Sequence, residues 1–193
     1  MITDALRFLL NVAFGMLVYT ALLRFIMQWM RAPFRNPVGQ AVTVLTDWAV
    51  KPLRKVLPGF GGYDWASLVA AWLLQLLWLA ALTALSTPLS AMLSGATAGF
   101  IAAFAVVELI KAALWIVIVA VFVQALLSWV APDGPLAGVL NALTFPLLMP
   151  IRRVIPPLGG ALDLSPLIVI VVAQLALMLP VAWLEQSVAQ LIR

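Results

Sequence analysis

The chain has no cysteine and no histidine. The first absence excludes disulfides, thiol nucleophiles and thiolate metal sites. The second removes the commonest metal ligand and the usual general base. Charge is scarce as well: only 9% of the 193 residues are charged, where an ordinary soluble domain has about a quarter. What fills the space is apolar, with 65% hydrophobic residues and a mean hydropathy of +1.15. That composition excludes a soluble domain and calls for a bilayer, which a helix of roughly 20 residues can span. The net charge of +4 raises nucleic acid as a partner. The pattern argues against it, because the basic residues sit at the ends of apolar segments, where they meet headgroups. The first apolar stretch is too long for a signal-peptide core and shows no small-residue cleavage site, so it is expected to remain as a span.

The chain says one thing twice. Residues 52–58 read PLRKVLP and residues 150–156 read PIRRVIP. At the same offset Pro37 meets Pro135, Leu45 meets Leu143, Thr46 meets Thr144, and Gly61-Gly62 meets Gly159-Gly160. A duplicated half is one structural unit that must fit against its copy. The expected division is a first repeat over 1–87, an apolar outer connector over 88–107 and a second repeat over 108–193.

Four spans are readable. They run from Ala5 to Met30, from Trp65 to Ser86, from Lys111 to Val130, and from Ser165 to Glu185 with a kink at Pro180. Ser165-Pro166 is a good helix start, with a capping hydroxyl and a proline whose missing N–H costs nothing there. Within each repeat the linker carries apolar residues at helical spacing. Val38, Ala41, Val42, Leu45, Trp48 and Ala49 do so in the first, and Leu136, Val139, Leu140, Leu143 and Leu147 in the second. Both segments read as amphipathic helices lying on the membrane, ended by Pro52 in one and by Pro146 and Pro150 in the other. The predicted fold class is therefore an all-α membrane protein of four transmembrane helices, in two parallel repeats, each with an interfacial amphipathic helix between its spans.

Residues 88–107 carry no charge and could be a fifth span by hydropathy. A crossing there would put the two linkers on opposite sides of the membrane. Yet both are basic, with Arg31, Arg35, Lys51, Arg54 and Lys55 in one and Arg152 and Arg153 in the other. Basic loops stay cytoplasmic. Four spans, cytoplasmic linkers and two periplasmic termini are the expectation.

The motifs resemble the YggT family of bacterial inner-membrane proteins, whose relatives include the YlmG proteins. The family pattern is an Arg shortly before Trp, then Asn-Pro, a Thr-bearing helix, a proline-bracketed basic pair, Gly and Asp-x-Ser-Pro. The first copy supplies Arg24, Trp29, Asn36-Pro37, Thr46, Pro52, Arg54-Lys55, Pro58 and Asp64. The second supplies Trp129, Thr144, Pro146, Pro150, Arg152-Arg153, Pro156, Gly159-Gly160, Asp163, Ser165 and Pro166. The first copy departs by reading Asp64-Trp65-Ala66-Ser67, the second by having Gln124 where the first has Arg24. The resemblance implies a link to membrane-complex assembly, to osmotic or ion homeostasis, or to division-associated organisation.

The residues able to do something are few. Arg54, Lys55, Arg152 and Arg153 either anchor the loops to anionic phospholipid headgroups or grip a headgroup or an acidic partner segment. Asp64 and Asp163 precede spans two and four, where they can cap the helix or pair with the basic residues of their own repeat. Gln75 and Gln174 each lie about 15 Å into a span; they are expected to bond to each other near the repeat axis, with a polar pore lining as the rival. Arg24 lies about 9 Å inside span one and either snorkels outward or pairs in the bundle. Glu108 and Lys111 form a local ion pair, and Trp29, Trp65, Trp129 and Trp183 an interfacial belt. No base, carboxylate dyad or metal site suggests an enzyme, and no cofactor is expected. The expected role is a non-catalytic accessory or scaffold in the inner membrane, working with a membrane-protein partner or a second copy. The alternative is a small oligomeric channel linked to ion or osmotic homeostasis.

Overall fold

A computed structural model describes residues 1–86, 88, 94–131, 134–156 and 163–190. It is all-helical, and among the described residues the β pairing is one isolated bridge, Phe60 to Tyr63. Helix α1 runs Ile2–Trp29, α2 Pro37–Val56, α3 Trp65–Ala84, α4 Gly95–Val130, α5 Ala137–Val154 and α6 Ser165–Ala176. A wide π turn, Leu177–Val181, carries α6 into α7, Ala182–Ala189. Among the described residues four segments are long and apolar enough to cross a bilayer: α1, α3, α4 and the continuous Ser165–Ala189. The break in the last falls at Pro180, where proline cannot donate to the preceding turn and the ladder widens.

Helix α4 packs against all the other spans and against α5. Its contact faces and those of α1 and α3 carry small residues, Ala21, Ala70, Ala71 and Ala112, all buried. Small side chains let helices approach closely where lipid offers no hydrophobic driving force. Each repeat then closes through its own satellite cluster. Val50 of α2 meets Ala66 and Ala70 at the start of α3. Its counterpart Leu148 of α5 meets Val121 and Val169. The interfacial helices thus lie across the ends of their spans, with Val42, Thr46 and Val50 turned in on α2 and Val139, Leu143 and Leu148 turned in on α5.

Two expectations change. Span three does not begin near Lys111: the helix starts at Gly95, and the apolar residues 95–107 continue it without a break. At 36 residues it is about 54 Å long, well beyond a hydrocarbon core of about 30 Å. Apolar residues with no glycine–proline break between Phe100 and Val130 give the helix no reason to stop. The interfacial helices also do not end at their prolines, since α2 passes through Pro52 and α5 through Pro146 and Pro150. All three prolines are exposed, and on an exposed face water can satisfy the carbonyls they leave unpaired. The basic pairs consequently occupy the last helical turn, which the negative end of the helix dipole favours.

Two turns position the first repeat. Gly61 and Gly62 both have positive φ, 67° and 82°, in a two-residue turn that folds Tyr63 back onto Phe60; such a turn demands glycine. The matching Gly159-Gly160 lies outside the described residues. After α1, Arg31 adopts φ 53°, Ala32 N donates to Met27 O at 2.8 Å and Arg31 N to Gln28 O at 3.1 Å. This is a Schellman cap with arginine where glycine is usual, at a cost of roughly 1 kcal/mol.

Candidate functional site

The basic pairs are split in the same way in both repeats. Arg54 grips Asp64 with two donors, Nε to Oδ1 at 3.2 Å and Nη2 to Oδ2 at 2.5 Å. Arg152 grips Asp163 with Nε at 2.8 Å and Nη2 at 2.6 Å. Each pair bridges the end of an interfacial helix to the start of the following span. Asp64 is buried and also accepts from the Ser67 hydroxyl. It makes no capping bond to the backbone of α3, so of the two roles open to it the ion pair is the one formed. Asp163 does both, accepting the Ser165 N–H at 2.9 Å as well. Burial pushes the Asp64 carboxyl up, but Arg54 and Ser67 outweigh it and hold it below the usual carboxylate range. At Asp163 burial is likewise overcome, by Ser165 and Arg152. Arg54 is raised in turn, chiefly by its bond to Asp64.

The second member of each pair is left over. Lys55 and Arg153 are exposed, and neither forms a salt bridge among the described residues. The contact Arg153 does make is a long one to the Met149 sulfur, 3.8 Å.

Arg24 does not snorkel. It is buried, and its Nη1 donates to Thr46 Oγ1 at 2.7 Å and to Asp47 Oδ1 at 2.9 Å. Asp47 also receives Lys51 at 2.7 Å. Lys51 first and Arg24 with it hold Asp47 below its usual range, against burial. The reading from sequence overlooked Asp47. The signal was there in the repeat: where the first copy has Arg24, Asp47 and Lys51, the second has Gln124, Phe145 and Met149. All three charges vanish together.

Gln75 is buried in α3 and Gln174 part-buried in α6. No hydrogen bond joins them, because α3 and α6 do not pack as a pair; α4 lies against both. The expected bond between the glutamines is therefore not made. On the other side of the bundle Lys111 bonds Glu108 at 2.9 Å and, across to α7, Glu185 at 2.5 Å. The first of these is the expected local pair; the second ties span four to span three. Among the described residues no cluster of His, Cys, Asp or Glu could hold a metal ion.

Four crossings, two interfacial helices and two arginine–aspartate clasps define a multi-pass membrane protein made of duplicated units. The chain belongs to the CCB3/YggT family, whose profile matches residues 3–85 and 103–184. It is a bacterial inner-membrane protein of that family. It is similar to an uncharacterised protein of Pseudomonas aeruginosa, 37% identical over 86% of this chain and 83% of the relative. It is also similar to a protein of the proC 3′ region of Vibrio alginolyticus, 33% identical over 90% and 91%. Against YggT of Escherichia coli K12 the figures are 34% over 86% and 84%. No solved structure matches the chain.

Proposed function

We propose that this protein is a non-catalytic accessory or scaffold of the inner membrane, presenting two basic helix ends on the cytoplasmic side to an acidic segment of a membrane-protein partner. The observation that carries this reading is the split basic pair. In each repeat one arginine is consumed by the clasp, and the adjacent cation, Lys55 or Arg153, points out unpaired among the described residues. Loop retention by charge needs only a count of basic residues. A clasp that fixes the direction of one cation suits recognition. Anionic headgroups compete for the same cations, at about 1 kcal/mol each.

Crosslinking in native membranes tests it. Lys55→Gln with Arg153→Gln should remove crosslinks to a partner while insertion stays normal. Unchanged crosslinking would leave these residues as charge anchors and nothing more. Orientation is tested by cysteines at Arg35 and Gly134, which should resist an impermeant thiol reagent in spheroplasts, and one at Gln190, which should react. The channel alternative has less support: Arg24 is tied to Asp47, and two clefts in the bundle are lined by apolar side chains.

A further inference from the structure

Between the repeats lies a cleft of about 480 Å³, open to one side. Its walls are Tyr19 and Leu23 of α1, Trp115 and Val119 of α4, and Val139 and Leu140 of α5. Its rim is formed by Val38, in the first turn of α2, and Leu136, just before α5. Tyr19 is ten residues from the end of α1, so the cleft reaches about 15 Å from the rim into the bundle.

The loop at the rim carries two cations, Arg31 and Arg35. Both are exposed, and neither forms a salt bridge among the described residues. The loop is rigid. Asn36 donates to the Pro33 carbonyl and accepts the Gly39 N–H at 2.9 Å. A Cβ on Gly39 would collide with the Phe34 carbonyl oxygen, so glycine is required for the loop to fold this close. Arg31 holds a left-handed backbone that glycine would adopt more easily. The same loop reaches the second repeat, since Pro33 lies 3.9 Å from where a Cβ of Gly138 would stand. A loop bearing two exposed arginines therefore leads into Val38 of the lining and touches Gly138, next to Val139, at one end of an apolar cleft of acyl-chain depth.

We propose that this junction binds one anionic glycerophospholipid, with an acyl chain in the cleft and the phosphate on Arg31 and Arg35. The chemistry is complementary at both ends. An acyl chain suits walls that are almost wholly apolar, and planar guanidinium groups suit a phosphate diester. The lipid would bridge the first repeat's loop to the second repeat's interfacial helix. The site shares no residue with the basic helix ends and stands independently of the partner they serve.

The experiment is a titration of detergent-purified protein with phosphatidylglycerol or phosphatidylcholine carrying brominated acyl chains. Tryptophan quenching is the readout, and Trp115→Phe defines the component from the cleft. Phosphatidylglycerol should quench that component saturably at a much lower concentration than phosphatidylcholine. Arg31→Gln with Arg35→Gln should raise its half-saturation roughly thirty-fold, the change that about 1 kcal/mol per basic residue at an anionic surface corresponds to. Both residues are exposed, so the thermal midpoint should hold. Val119→Phe, at a lipid-facing position that lines the cleft, should abolish Trp115 quenching. Gly39→Ala, which displaces the loop without changing charge, should weaken phosphatidylglycerol alone. Equal quenching by the two lipids would overturn the proposal. So would full displacement by millimolar inorganic phosphate, which would reduce the site to a phosphate subsite with no lipid specificity.

Discussion

Arg24 and Asp47 meet at 2.9 Å, one from inside span one and the other from the interfacial helix beneath it. The same two places in the second repeat hold Gln124 and Phe145. The chain thus carries its own comparison. The first repeat ties its interfacial helix to its first span with an ion pair, while in the second Val139, Leu143 and Leu148 are the residues that the interfacial helix buries. Among the described residues the Gln124 side-chain oxygen is buried and without a hydrogen-bond partner, so no polar contact there has replaced the lost pair.

The first prediction follows from that asymmetry. Asp47→Phe leaves the buried Arg24 guanidinium without its carboxylate and should cost about 2–3 kcal/mol. Adding Arg24→Gln, which copies the second repeat at both positions, should recover much of the loss. Thermal midpoints in detergent measure both. A double variant as unstable as the sum of the singles would mean that the two residues act separately.

The glutamines make a contrasting case. Because Gln75 and Gln174 sit on helices that do not pack as a pair, Gln75→Leu and Gln174→Leu should be additive within about 0.5 kcal/mol. A larger coupling would require a rearranged bundle, and it too is read from detergent thermal midpoints of the two single variants and the double.

Acid should loosen the linkers. Asp64 and Asp163 have carboxyls held below their usual range in the folded protein. When the folded pKa is the lower one, the unfolded state takes up protons first as pH falls. The stabilisation is therefore fully present above about pH 4 and is lost below it. The thermal midpoint should fall between pH 5 and pH 3. With Asp64→Asn and Asp163→Asn together, it should start lower and vary less over that range.

Helix α7 buries none of its own residues. It lies beyond the π turn, and Lys111 to Glu185 is its polar tie to the bundle. Glu185→Gln should raise amide exchange in residues 182–189 and leave residues 165–176 unchanged. Equal protection in the variant would show that apolar contact alone holds the segment.

Much of this protein was determined by its sequence alone. Apolar runs of bilayer length dictate helices, because a lipid-facing backbone must satisfy its own hydrogen bonds. The repeated proline-bracketed basic pairs pointed to two units, and Asn36-Pro37 and Ser165-Pro166 fall at helix starts, although the Ser165 hydroxyl expected to cap the helix makes no cap bond. These signals are local in the chain. The tertiary structure decided who meets whom. Whether Arg24 snorkelled or paired depended on which residue of α2 lay beneath it, and a helix start does not predict a crossing point. Whether Gln75 met Gln174 depended on α4 standing against both helices, although their matching depths gave no hint of it. Even the prolines were read by a local rule that holds inside a core. At an exposed face, where water satisfies the carbonyls they strand, α2 and α5 run on and carry each basic pair into reach of its aspartate.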